Sequence, residues 1–182
     1  GYEKGWSFTP MNGKKPFLSS WQNLDRASLE DSLAWSENNN IGLRTGEASG
    51  IIVVDIDLYK GGDVPEDLPK TVSVKTGRGG EHRYYRLPPG IVVNCSSKGF
   101  PRHIDIRGNG GVVVYPGSVH PDTGEVYQFS EGLNPDQVEM AVWSEDFRRH
   151  YASSLAAQKE RPRTEKFKAF ELYTKTYCDS VE

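Results

Sequence analysis

Ile51-Ile52-Val53-Val54-Asp55-Ile56-Asp57-Leu58 is an apolar, β-branched run of strand length that ends by carrying two carboxylates one residue apart. Side chains alternate across a strand, so Asp55 and Asp57 are expected on one face and Ile56 and Leu58 on the other. Their Cα atoms would stand roughly 7 Å apart at strand rise. Side chains leaning inward from that distance can share hard cations bound roughly 3.5–4 Å from each other. An isolated Asp-x-Asp is more often the solvated end of a strand leaving the core, and it is the residues around this one that reverse the weighting.

Upstream, Ile41-Gly42-Leu43-Arg44-Thr45-Gly46 reads as a brief strand and a glycine turn feeding the carboxylate strand. Arg44 is there either a solvated edge residue or a phosphate contact. Ser28-Leu29-Glu30-Asp31 has the form of a helix N-terminus, with Leu29 and Leu33 one turn apart and Asn38-Asn39-Asn40 as the stop. The chain opens with a short strand expected to end at Pro10, a turn at Asn12-Gly13 and the basic pair Lys14-Lys15.

Downstream, residues 58–69 are polar and rich in Gly, Asp and Pro, the composition of a surface loop. Two strands, 71–75 and 82–87, then flank the turn Thr76-Gly77-Arg78-Gly79-Gly80-Glu81. Glycines let a backbone turn its N–H groups toward a ligand such as phosphate, and the bland alternative is a flexible hairpin loop. The turn lacks the Lys-Ser/Thr end of a P-loop and no helix follows it, so neither a Walker motif nor a dinucleotide fingerprint is present. His82 begins the returning strand with Tyr84 and Arg86 on its face, placed for phosphate contact or acid–base work.

His103-Ile104-Asp105-Ile106-Arg107 alternates strictly, which sets Asp105 on one face with His103 and Arg107 while Ile104 and Ile106 enter the core. Gly108-Asn109-Gly110-Gly111 is read as a hairpin turn that returns the chain through Val112-Val113-Val114-Tyr115. Ser118 and His120 sit in the loop that follows, as ligand contacts rather than parts of a triad, since nothing places them within hydrogen-bond reach of an acid. Residues 125–129 are a last strand. From Ser144 the pattern turns helical, with Phe147, Tyr151 and Leu155 four apart, a charged break at 159–163, and Phe167, Phe170 and Tyr173 as docking aromatics of a second helix.

At 182 residues the chain has room for one sizeable core and a short appendage. No apolar stretch approaches the roughly 20 residues of a membrane helix, so the expectation is a soluble, cytoplasmic protein without a membrane partner. Cys95 and Cys178 are far apart, which excludes a zinc site or a disulfide framework. The opening Gly and the abrupt charged end suggest a piece of a longer protein. Net charge is −3, which argues against gripping nucleic acid by total charge. Its distribution matters more: Lys75, Arg78, Arg83 and Arg86 gather around the glycine turn, and Lys98, Arg102 and Arg107 around the strand bearing Asp105.

Val54-Asp55-Ile56-Asp57, the 76–85 segment through His82, and Ile104-Asp105-Ile106-Arg107-Gly108-Asn109-Gly110-Gly111 resemble, in order, the three motifs of the archaeo-eukaryotic primase superfamily. Within it they are most similar to bifunctional primase–polymerase domains of phages, plasmids and related mobile elements. The likeness covers about residues 5–130. It implies an α+β fold, with a small RRM-like mixed sheet as the catalytic core, a second antiparallel lobe and peripheral helices. It divides the chain into a catalytic domain over 1–143 and a helical extension over 144–182 leading to a downstream region, with a helicase fused or associated there.

The activity implied is template-directed nucleotidyl transfer by a DNA polymerase and primase, in a bacterial or infected cell. Asp55, Asp57 and Asp105 would hold two Mg²⁺ or Mn²⁺ ions, which take oxygen ligands, and no zinc. His82 with Thr76, Gly77, Arg78, Gly79 and Gly80 would bind the incoming dNTP or NTP, with Arg44, Arg107, Ser118 and His120 as weaker contributors. DNA template and primer are the implied partners. Polymerase activity is the firmer expectation, because starting a chain often needs a downstream helical region. Two readings compete: a two-metal nuclease or phosphodiesterase using the same carboxylates on water, and a non-catalytic single-strand-binding module stacking bases on Tyr84, Tyr85 or Tyr115. The second lacks the Lys/Arg-Gly-aromatic-Gly string of RNA-binding sheets.

Overall fold

The computed structural model describes residues 2–62, 68–96, 103–144, 146 and 149. Phe147, Tyr151, Leu155, the 159–163 break, the 167–173 aromatics, Cys178, Lys98 and Arg102 lie outside them. The strands are β1 Phe8–Asn12, β2 Lys15–Pro16, β3 Asn40–Arg44, β4 Ile51–Ile56, β5 Ser73–Lys75, β6 Glu81–Arg86, β7 Ile104–Arg107, β8 Val112–Val114 and β9 Gln128–Phe129, and an α-helix, α1, spans Leu29–Asn38. They form two sheets, ordered β2-β1-β3-β8 and β7-β4-β6-β5-β9. The fold is α+β, with a core sheet, a second antiparallel lobe and a peripheral helix. All pairing between named strands is antiparallel. Among the described residues, parallel contact is confined to the isolated bridges Arg86–Val142 and Asn94–Asn109.

Local chemistry explains most of these elements. The Ser28 side chain accepts the N–H of Asp31 at 3.0 Å and so caps α1, which ends at Asn39. Pro10 does not end β1. Its partner Ile41 turns its own N–H to Ser118 Oγ and its C=O to the N–H of Tyr115, away from β1, so Pro10 and Ile41 form a non-hydrogen-bonded pair. The missing N–H of Pro10 therefore faces the outer edge, beyond the two residues of β1 that β2 covers.

Strand β8 departs from the expected hairpin with β7. It pairs with β3 in the other sheet, so residues 108–111 are a crossover between sheets. Close approach of backbones makes this possible. A Cβ on Gly108 would lie 2.1 Å from the Val93 carbonyl oxygen, and one on Gly46 would lie 2.5 Å from Asn109 Cα. Thr45 fastens the crossing, its N–H to the Gly111 carbonyl and its hydroxyl to the Gly108 carbonyl at 2.7 Å.

The two faces of β4 enter different cores. Ile51 and Val53 join Trp6, Phe8, Met11, Leu43, Val74, Tyr84, Val113 and Val114, a cluster drawn from both sheets. Ile52, Val54 and Ile56 join Tyr85, Ile104, Ile106 and Trp143 on the opposite face. Tyr84 and Tyr85 are both buried, which removes them as stacking platforms. Tyr115 packs edge-on against Trp6, Phe8 and Phe129. The outer row of α1 is unlike a docking stripe, with Leu29 and Leu33 exposed.

Candidate functional site

Register on the second sheet sets the site. Asp55 on β4 is directly opposite His82 on β6 and directly opposite Asp105 on β7. Period-two alternation then gives Asp105, Asp55 and His82 one row on one face, the face shared with Val53. Val53 continues into the inter-sheet core, and one step along the strand the polar row opens into a cleft of about 300 Å³. Its lining includes Asp55, Asp57, Thr76, Arg78, His82, Arg107 and His120, together with Lys14, Tyr59, Tyr127 and residues 112–114.

Asp55 is the electrostatic centre. His82 Nε2 lies 3.4 Å from one of its oxygens, and Arg107 reaches the other from Nη2 at 3.0 Å. The same Arg107 nitrogen is 3.0 Å from Asp105, so one guanidinium bridges two carboxylates. Burial raises the Asp55 pKa, but His82 and Arg107 outweigh it and hold the carboxyl well below the ordinary range. Tyr127 lies beside both histidines, 6.1 Å from the His82 ring and stacked at 6.1 Å on His120. Burial, and then the Asp55 charge, push its hydroxyl up to about 12.

Asp57 lies one residue beyond β4 and pairs with Lys60 at 2.6 Å. Its N–H bonds the His103 carbonyl, one more rung of the β4–β7 ladder, and at a φ/ψ of −82°/72° the chain then leaves the strand. Asp57 still lines the cleft with Asp55. His103 lies just before β7, with φ at 69°. Among the described residues, no three His, Cys, Asp or Glu side chains converge as a metal site in this arrangement. The donors nevertheless suit a hard divalent ion: two carboxylates share one cleft, and a third stands across the ladder from the first. Their present partners are Arg107, His82 and Lys60.

Several expected contacts have other occupations. Arg44 is buried and donates to the Leu24 carbonyl and Ser7 Oγ from Nη1 and to the Gln22 carbonyl from Nη2, so it staples the 20s segment rather than lining the cleft. Ser118 Oγ accepts the Ile41 N–H at 2.9 Å and ties the 115–120 loop to β3. The glycine turn closes on itself: Gly79 N–H bonds the Thr76 carbonyl and Gly80 N–H bonds Thr76 Oγ1. Those two N–H groups are not offered to a ligand. Gly77, Gly79 and Gly80 line a separate cavity, while Thr76 and Arg78 reach the cleft. Gly77 and Gly80 serve close approach, since Cβ atoms there would meet His120 Cβ at 2.4 Å and the Ile56 carbonyl at 2.6 Å.

No pattern in the sequence marks Tyr59 or Tyr127 as a cleft residue. Lys14 had a signal, a basic residue at the tip of an Asn-Gly turn, but nothing in the order of residues says where that tip lands.

No curated protein matches the chain. A family model for the N-terminal domain of bifunctional DNA primase/polymerase matches residues 2–145. That span contains the Asp105–Asp55–His82 row, both sheets and every residue of the cleft, and the chain belongs to this Prim-Pol family, whose activity is DNA priming and polymerisation.

Proposed function

We propose that this chain transfers nucleotides from dNTP or NTP to a primer 3′-hydroxyl on a DNA template by a two-metal mechanism, in the replication of a phage- or plasmid-type element. The observation that carries the reading is the row of Asp105, Asp55 and His82 across three strands, opening on a cleft that also holds Asp57 and a set of cationic side chains. Asp55, Asp57 and Asp105 would hold two Mg²⁺ or Mn²⁺ ions. Bound there, such ions supply Lewis-acid activation of the hydroxyl and neutralise the triphosphate and departing pyrophosphate.

The protein's own residues do the positioning. His82, buried against Asp55, keeps that carboxylate oriented and offers its ring to the cleft. Arg107 balances Asp55 and Asp105 before substrate arrives and stands within reach of a phosphate oxygen once they take another cation. Arg78, at the cleft mouth, adds a second guanidinium for the phosphates. The buried Tyr84 and Tyr85 count against a base-stacking module.

Extension of a labelled primer with dNTPs and Mn²⁺ or Mg²⁺, beside the Asp55→Ala/Asp57→Ala double variant, tests this. Extension by the native chain and background signal from a folded double variant are expected. Shortening of labelled ends with metal and no dNTP would instead make the same carboxylates a nuclease site.

A further inference from the structure

Away from the carboxylates, a groove of about 290 Å³ runs between α1 and the 115–118 loop. Tyr2, Phe8 and Tyr115 form one side of it, and Leu29, Ser32 and Ser36, spaced along one face of α1, form the other. Leu33, 57% exposed, stands at its rim. Leu29 and Leu33 lie outside both apolar cores of the described residues, so the two leucines pack on neither.

The groove suits an apolar occupant. Its three serines turn their hydroxyls to backbone groups: Ser32 Oγ donates to the Ser28 carbonyl at 2.8 Å, Ser36 Oγ donates to the Leu33 carbonyl at 2.7 Å, and Ser118 Oγ accepts the Ile41 N–H at 2.9 Å. With those groups satisfied, an occupant meets mainly rings and aliphatic carbon, whereas a small polar ligand would need several convergent polar partners. The surface beside the groove is acidic, because α1 carries Glu30, Asp31 and Glu37 and no basic residue. A segment with aromatic anchors and a basic flank matches both features.

This chain contains such a segment, outside the described residues. Phe167, Phe170 and Tyr173 recur every third position, and residues 159–168 hold Lys159, Arg161, Arg163, Lys166 and Lys168 against Glu160 and Glu165. The chain passes the groove shortly before that stretch. Asp136 pairs with Lys4 at 3.3 Å, and Val138 and Met140 pack on the same core cluster as Tyr2, Phe8 and Tyr115. Phe167 follows the buried Trp143 by 24 residues. Extended, that length reaches roughly 80 Å, against roughly 40 Å across a domain of this size. A tether of this kind also raises the local concentration to about the millimolar range. A second copy of the folded domain would bring the same acidic helix to the groove and be repelled by it. We propose that residues 164–177 of this chain seat in the groove, with Phe167, Phe170 and Tyr173 against its aromatic side and the preceding basic residues beside Glu30, Asp31 and Glu37. This latch goes beyond the polymerase reading and does not depend on it.

The latch is a local contact, released without unfolding the sheets, so it is read on the segment itself by hydrogen–deuterium exchange of the full chain. Amides of 165–177 should exchange roughly tenfold more slowly in the native chain than in Phe167→Ala/Phe170→Ala, which loses two aromatic anchors. Alanine is the better helix former, so a helix standing free of the groove would keep its protection in that variant. Leu29→Ser, on the groove side, should deprotect the same amides. Glu30→Lys/Glu37→Lys should deprotect them by roughly threefold, and adding Lys166→Glu/Lys168→Glu should restore them. Amides of β4 should stay protected in every variant, which reports that the fold is intact. Unprotected 165–177 amides in the native chain would overturn the latch. Protection that survives Phe167→Ala/Phe170→Ala or Leu29→Ser would do the same, as would protection that fades on dilution, the mark of a second copy in the groove.

Discussion

The two faces of β4 differ in what they ask of the protein, although they alternate residue by residue along one strand. Ile52, Val54 and Ile56 are fully buried against Tyr85, Ile104, Ile106 and Trp143, an apolar layer. Ile51 and Val53 begin as equally apolar, but the next residue on their side is Asp55, where the inter-sheet core gives way to His82, Arg107 and the cleft. One face is a packing problem, the other a charge-balance problem. A strand with a two-residue period lets stability and chemistry be altered separately within a few ångströms.

The largest effect expected from breaking this separation is on the packed face. Ile52→Ala removes a wholly buried side chain distant from the carboxylates and should cost about 2–5 kcal/mol in denaturant unfolding. Extension per folded molecule should stay near the native value. If activity fell with folding intact, the two faces would not be independent.

Next comes the charged face, probed in metal-free buffer. The Asp55 carboxyl is held below its unfolded value, so its ionised form adds stability above about pH 4, and that contribution fades as pH falls through the folded value. Arg107→Ala removes one of the two partners that hold it there. The variant should have a lower Tm than the native chain at pH 7, and the gap should narrow on acidification below about pH 4. A gap that does not narrow even as pH falls through the folded value would mean that Arg107 acts through packing rather than through charge.

The smallest effect is expected outside both faces. Leu33 on α1 is 57% exposed, and Leu33→Ser should shift stability by no more than about 0.5 kcal/mol. A larger loss would show that this helix buries its leucines in solution, against something other than the two sheets.

Much of the site could be read before any tertiary contact was known. Alternation in 51–56 and 104–107 placed Asp55 and Asp105 correctly against their apolar neighbours, and the glycine turn correctly delivered His82 to the start of a strand. The Ser28 cap and the Asn-Gly turn were equally legible. Arg44 shows the limit. Its sequence surroundings are those of an exposed edge, yet its guanidinium is buried under carbonyls from residues 22 and 24, which no periodicity brings near it.

What the sequence by itself determined are the features set by short-range sterics: where strands and the helix start, which side chains share a face, and which turns need glycine. These depend on φ/ψ preferences and on the two-residue and 3.6-residue periods, which act over a few neighbours. Only the tertiary structure decided that β8 crosses to the other sheet and that Arg107 bridges two carboxylates. It alone closed the 76–80 turn on itself and brought Lys14 to His120. These follow from backbone approaches and charge pairs between residues tens of positions apart, for which the order of residues carries no local signal.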